Sequence, residues 1–352
     1  MVAALALLAL LIAAALAANS PAAPSSDLQR AIAVQERNSE RLLERGNVVG
    51  TGVGRDGAGA AEIVVLAKRP ISVAKALDGV PVELKVTGSI SSLVASPAKK
   101  PESPGKGGGG GGGGETESSL STTDVWPRPV PIGVSTGNAG ACLAGTIAAR
   151  VGDGSGTYAL SNNHVYALEN RAAIGSTVLQ PGRYDTNCSS GAGNELGRLA
   201  KFVEIVFSTS AENEVDAAIA STTSEELGTA TPPNGYGEPS SATLSASEAL
   251  LSPAVQKYGR TTEETHGKVY AINGIVNVGY SAGTARFVNQ IFVEGNRGPV
   301  IKPGDSGSLL VTNNKAANPV GLLFAGDSSG KFAVANRIDA VLGAFGVGID
   351  GK

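Results

Sequence analysis

Eight consecutive glycines, residues 107–114, divide this 352-residue chain at a point no folded element can cross. Glycine has no side chain to bury and loses more backbone freedom on folding than any other residue, so such a tract behaves as flexible coil. The flanking SPAKKPESPGK and ETESSLSTT offer little to a core, and residues 96–123 read as a linker, with Lys99-Lys100 an exposed candidate for processing. Folding must therefore occur on either side of it. The two sides differ in chemistry: every aromatic residue, both cysteines and both histidines lie at or beyond Trp126. Side-chain chemistry is expected in residues 124–352. A net charge of −3 with 17% charged residues argues against a nucleic-acid partner held by phosphate neutralisation.

Residues 2–18 form an unbroken apolar run ending in Ala15-Leu16-Ala17, a small-residue cleavage pattern. A helix of that length reaches about 25 Å, short of the ~30 Å hydrocarbon core. The expectation is a signal peptide (1–18) and a secreted or periplasmic protein without stable membrane association once it is cut. A retained anchor is the alternative, since no basic residues precede the run.

Residues 26–95 read as a small α+β module. Ser26 with Gln29 three residues on has the form of a capping box, and Gly46 is a natural helix stop. Between them Glu36, Glu40 and Glu44 alternate with Arg37, Arg41 and Arg45 along a polar helix. VVGTGV (48–53) and EIVVL (62–66) predict two strands, residues 72–77 a short helix, and PVELKV (81–86) a third strand. From Trp126 on, short β-type runs alternate with turn residues, which predicts an all-β region. The Pro- and Ser-rich stretch 230–253 separates two strand-rich halves, and RIDAVLGAF (337–345) is the one late stretch with helical character. Two linked antiparallel β-barrels are expected.

Three motifs carry chemistry. In Pro303-Gly304-Asp305-Ser306-Gly307-Ser308, Gly304 allows a turn that points its own N–H and that of Ser306 into one pocket. Such donors are what a developing oxyanion needs, and Gly307 permits close approach behind the hydroxyl. A serine hydroxyl needs a base, and an imidazole, which titrates near neutrality, suits that role. His164, in SNNHV, ends a β-type run; His266 precedes Gly267 at the start of another. A carboxylate in apolar surroundings would orient the imidazole, and Asp216 in VDAAIA has that setting.

His164, Asp216 and Ser306, in that order and in the motifs SNNHV, VDAAIA and GDSGS, resemble the trypsin/chymotrypsin-like serine proteases over residues 126–350. The resemblance implies a mainly β fold of two six-stranded-type antiparallel barrels and a serine endopeptidase acting on peptide or protein substrates without a cofactor. Ser306 would be the nucleophile, His164 the base, Asp216 its orienting acid, and Gly304 and Ser306 the oxyanion hole. The chain departs from the pattern in two ways. No Ile-Val-Gly-Gly-like start is visible, so Asp305 needs a partner other than a new N-terminus. Val300 stands where an acid would select Lys or Arg, and the strand around Phe324 and Gly326 has no cation for an acidic residue. Val300, Phe324 and Gly326 therefore suggest a pocket for a small or apolar residue.

Cys142 and Cys188 flank His164. In an oxidising compartment they are expected to pair, and the resemblance implies a bridge there; two free thiols are the alternative. No close-spaced ligand pair suggests zinc or another metal. GDSSG (326–330) mimics a nucleophile elbow but has no histidine after it. GVGRDG (52–57) mimics a dinucleotide fingerprint but leads into a strand, so it reads as a hairpin turn. The rival to catalysis is a silent protease-like binding or adhesion module. The 26–95 module is either a removable partner of the catalytic region or a permanent binding domain.

Overall fold

The computed structural model describes residues 25–97, 120–189, 194–244, 251 and 253–352. The apolar run 2–18, Lys99-Lys100 and the glycine tract lie outside the described residues. At the N-terminal end come α1 (Ser26–Leu43), β1 (Val48–Arg55), β2 (Ala61–Ala67), β3 (Ala76–Leu77), β4 (Val80–Val86) and β5 (Ser91–Ser92). Helix α1 starts one residue earlier than its capping signal suggested, with Ser25 as N-cap. It buries Leu28, Ala31, Val34, Asn38 and Leu42, whose three- and four-residue spacing makes a single face.

The short helix expected at 72–77 does not form. Residues 72–74 carry no regular structure, Lys75 sits at a bend, and the last two residues are β3, paired with β4 through Leu77 and Val80. The reason is the turn: Asp78 and Gly79 both take positive φ (46° and 78°), the geometry of a tight two-residue hairpin. A six-residue helix has too few hydrogen bonds to offset its nucleation cost.

The first barrel is built from β6 (Ser135–Asn138), β7 (Gly145–Thr146), β8 (Ala149–Gly152), β9 (Thr157–Ser161), the helical turn α2 (Asn163–Tyr166), β10 (Thr177–Leu179), β11 (Glu195–Phe202) and β12 (Ala218–Thr222). Strands β7 and β8 act as one bent strand, because Ile147 N–H donates to Val134 O and Ala148 N–H to Leu160 O across the gap. Counting them as one, the ring runs β6–β7/β8–β9–β12–β11–β10 and returns to β6. Its interior holds Ile132, Val134, Ile147, Val165, Val178 and Leu199.

The second barrel comprises β13 (Ala254–Gly259), β14 (Glu263–Gly279), β15 (Thr284–Gly295), β16 (Leu309–Thr312), β17 (Pro319–Gly326) and β18 (Phe332–Arg337). It closes through the β13–β14 pair. The late helix α3 (Ile338–Phe345) follows, and β19 (Gly348–Ile349) returns to pair with β8 of the first barrel. The fold is thus mainly β, two six-stranded antiparallel barrels with a small helix-containing N-terminal region.

That region joins the second barrel directly. On one edge of β14, residues 263–268 pair with β13; beyond them, Ala271 to Val276 pair with β1. The sheet then continues through β2 to β4. Leu28 and Val34 of α1 and Ile63 of β2 share an apolar core with Val269, Ile291 and Leu310 of the barrel. Gln35 of α1 donates to Thr51 Oγ1 of β1 at 2.8 Å inside this interface, so the buried amide keeps a partner.

Candidate active site

Strand β9 ends at Ser161, and the chain turns at once into α2, which carries His164. Asn162 holds this turn to the neighbouring loop, donating to Asp216 O at 2.7 Å. Asp216 lies just before β12, the strand paired with β9, so adjacent strands deliver the two side chains. His164 Nδ1 and Asp216 Oδ2 are 2.6 Å apart, and Asp216 Oδ1 accepts from the His164 backbone N–H at 3.2 Å. Both side chains are buried. The carboxylate also accepts from the Tyr280 hydroxyl at 2.8 Å. Burial, and then the Asp216 charge, push that phenol well above its ordinary range, so it remains a donor. The other imidazole nitrogen, His164 Nε2, is buried with no hydrogen-bond partner among the described residues.

The turn that carries Ser306 comes from the loop before β16. Gly304 and Gly307 take φ of +102° and +93°, a region costly for residues with a Cβ. This turn is tied to the first barrel, since Thr146 N–H donates to Ser306 O at 2.8 Å and Thr146 Oγ1 to Gly304 O at 2.9 Å. A Cβ built on Gly145 would meet Val165, the residue after His164, and also Ser306 O. The serine turn and the histidine turn therefore meet against one glycine. Ser306 Oγ is buried and donates to Phe324 O at 3.2 Å.

Asp305 has a partner from within the barrel. Lys257 of β13 places Nζ 3.5 Å from Asp305 Oδ1, both side chains fully buried. The carboxylate also accepts from the N–H groups of Thr261, Thr262 and Lys302 and from the Thr262 hydroxyl. Burial pushes the Lys257 ammonium below its usual range, opposed by Asp305. This internal cation occupies the role for which the sequence offered no new N-terminus.

A segment of the N-terminal region lies across the site. Ser92 and Ser91 of β5 pair antiparallel with Ala325 and Gly326 of β17. Gly304 N–H donates to Leu93 O at 2.7 Å. Ala95 and Ala144 exchange two backbone bonds of 2.9 Å. The Leu93 side chain belongs to the second barrel's apolar core with Val300 and Ile301, and a Cβ on Gly326 would come within 3.0 Å of its Cδ1. Val94 packs against the first barrel's core.

Of the residues singled out in the sequence, His164 and Asp216 are bonded, and Ser306 and Gly304 share the adjoining turn. Gly326 lies close to the Leu93 side chain, and Val300 belongs to the same apolar cluster. Phe324 contributes its carbonyl to Ser306, while its ring packs on Phe287 in a different cluster, with centroids 4.8 Å apart. His266 stands apart on β14, 3.2 Å from Glu264. Cys142 and Cys188 form a disulfide. Among the described residues there is no cluster of potential metal ligands. Three residues were not anticipated: Tyr280, Lys257 and Leu93. None carries a local signal, because each acts through a partner distant in sequence.

No family model matches the chain, and no curated protein matches it. Among solved structures, the chain is similar to a glutamic acid specific serine protease described as using a histidine triad in substrate binding (22% identity, 62% of this chain, 100% of that one, TM-score 0.44). It is also similar to Thermobifida fusca protease A (18%, 63% and 99%, TM-score 0.44) and to Cellulomonas bogoriensis chymotrypsin (20%, 63% and 99%, TM-score 0.42).

Proposed function

We propose that this protein is an exported serine endopeptidase that cleaves peptide bonds through an acyl-enzyme on Ser306, after apolar residues. The observation that carries the reading is the buried His164–Asp216 pair, 2.6 Å long, beside a serine turn whose Gly304 N–H already binds a peptide carbonyl at 2.7 Å. In the reaction, His164 Nε2 takes the Ser306 proton as Oγ attacks the carbonyl carbon. Asp216 holds Nδ1 protonated and stabilises the imidazolium, and the Gly304 N–H receives the developing oxyanion. His164 then returns the proton to the leaving amine, and water hydrolyses the ester by the same relay.

The apolar preference is supported by Leu93, which is buried in one apolar cluster with Val300 and Ile301 and whose Cδ1 lies close to Gly326. Export is supported by the Cys142–Cys188 disulfide, since such bonds persist in oxidising compartments. A serine-directed organophosphate should add its mass to Ser306, located by peptide mapping, and Ser306→Ala should abolish both the label and peptide hydrolysis. A folded protein that is neither labelled nor active in any processed form would defeat the reading.

A further inference from the structure

We infer that the Leu93–Val94 peptide bond is this protein's own first substrate, cut in cis by Ser306. The inference rests on the peptidase reading above and names the bond on which the site first acts. Four independent contacts hold that bond as a substrate would be held. On its N-terminal side, Ser91 and Ser92 add a strand to β17, the way extended peptides dock on a sheet edge. On its C-terminal side, Ala95 is bonded in both directions to Ala144 of the first barrel. Between them the Leu93 carbonyl accepts from Gly304 N–H, the donor that stabilises an attacked carbonyl. The two flanking side chains also part company, Leu93 into the second barrel's core and Val94 against the first's. The bond therefore straddles the junction where the serine and histidine turns meet.

The chemistry balances with water as the only co-reactant. Ser306 Oγ, now donating to Phe324 O, turns about its Cα–Cβ bond and attacks the Leu93 carbonyl carbon. Its proton passes to His164 Nε2, the buried nitrogen without a partner among the described residues. The C–N bond breaks as His164 protonates the Val94 nitrogen. Water then adds to the ester carbon and loses its proton to His164. The Leu93 acyl group leaves as a carboxylate, and Ser306 regains its hydrogen. Because the bond is delivered by the same chain, the reaction is unimolecular and gains the effective concentration of a tethered substrate.

Cleavage alone does not free the site. The β1–β14 pairing and the shared core hold the region ending at Leu93, and its new carboxylate stays beside Gly304. Turnover of other peptides follows loss of that fragment.

The test compares intact masses, under denaturing conditions, of the full wild-type chain, Ser306→Ala, Leu93→Asp and Val94→Pro over time. In the wild type a new N-terminus at Val94 is expected, forming at a rate unchanged by tenfold dilution, while Ser306→Ala stays uncut at this bond. Leu93→Asp should slow the cut at least 100-fold by placing a charge in an apolar pocket, and should label faster with an organophosphate as the segment leaves. Val94→Pro keeps Leu93 in its pocket and should also block the cut, so a folding defect in Leu93→Asp does not decide the matter. A cut in Ser306→Ala, a rate proportional to protein concentration, or wild-type cutting in Leu93→Asp would overturn the inference. A chain that labels at Ser306 or hydrolyses added peptides yet keeps the 93–94 bond whole overturns it and leaves the peptidase reading standing. A chain with no label, no hydrolysis and no self-cleavage ends both.

Discussion

Removing one oxygen atom tests how the buried carboxylate is held. In Tyr280→Phe the ring is retained, with its edge contacts to His164 and Phe207 at centroid distances of 6.0 and 5.6 Å. Only the hydroxyl that donates to Asp216 Oδ2 at 2.8 Å is lost. A hydrogen bond to a charged group is worth about 1.5–3 kcal/mol, and each ~1.4 kcal/mol is a factor of ten in rate. Asp216 keeps both contacts to His164, so the loss is partial. If Tyr280 positions the carboxylate, kcat should fall about 10- to 100-fold with KM unchanged, because substrate touches neither group. Asp216→Asn, which removes the carboxylate charge, should cost on the order of 10⁴. The assay is steady-state hydrolysis of a peptide with leucine before the scissile bond, using active-site-titrated enzyme, with urea unfolding run in parallel. A kcat within twofold of wild type would refute the positioning role. A rise in KM at constant kcat would also refute it, moving Tyr280 to substrate binding.

Two further outcomes follow from buried charge. Lys257→Met leaves Asp305 without its cation in a fully buried setting, and breaking such a pair costs about 3–5 kcal/mol. Urea unfolding of the inactive Ser306→Ala chain should show that loss, with Lys257→Arg recovering part of it. Burial first, then the Glu83 and Asp56 charges, raise the Glu62 carboxyl on β2 to about 7. The folded chain therefore binds a proton that the unfolded chain releases above its ordinary value of 4.5. This contribution is fully present below that value and is lost as pH rises through about 7. Thermal unfolding of the Ser306→Ala chain between pH 4.5 and 7.5 should show the loss, and Glu62→Gln should flatten it; equal pH slopes in the two chains would contradict the assignment.

Local pattern determined much of this protein. Turn residues between short β-type runs made the C-terminal part mainly β, because the hydrophobic period and the turn chemistry are both local. GDSGS declared its turn because positive φ at Gly304 and Gly307 is a requirement on those residues themselves. His164 and Asp216 could be singled out from their immediate neighbours. The expected helix at 72–77 went wrong although its own evidence lay in the next two residues, Asp78-Gly79, whose hairpin outweighs a weak helical preference. Only the tertiary structure could decide the rest. Lys257 reads as one strand lysine among others until the barrel closes over Asp305. Tyr280 lies in a hairpin turn, and its hydroxyl matters because folding brings it to a carboxylate 64 residues away. Ser-Ser-Leu-Val-Ala at 91–95 looks like the approach to a linker. Its register on β17 and its bond to Gly304 arise from pairing across more than two hundred residues, and a pattern confined to neighbours along the chain does not record which edges will meet in space.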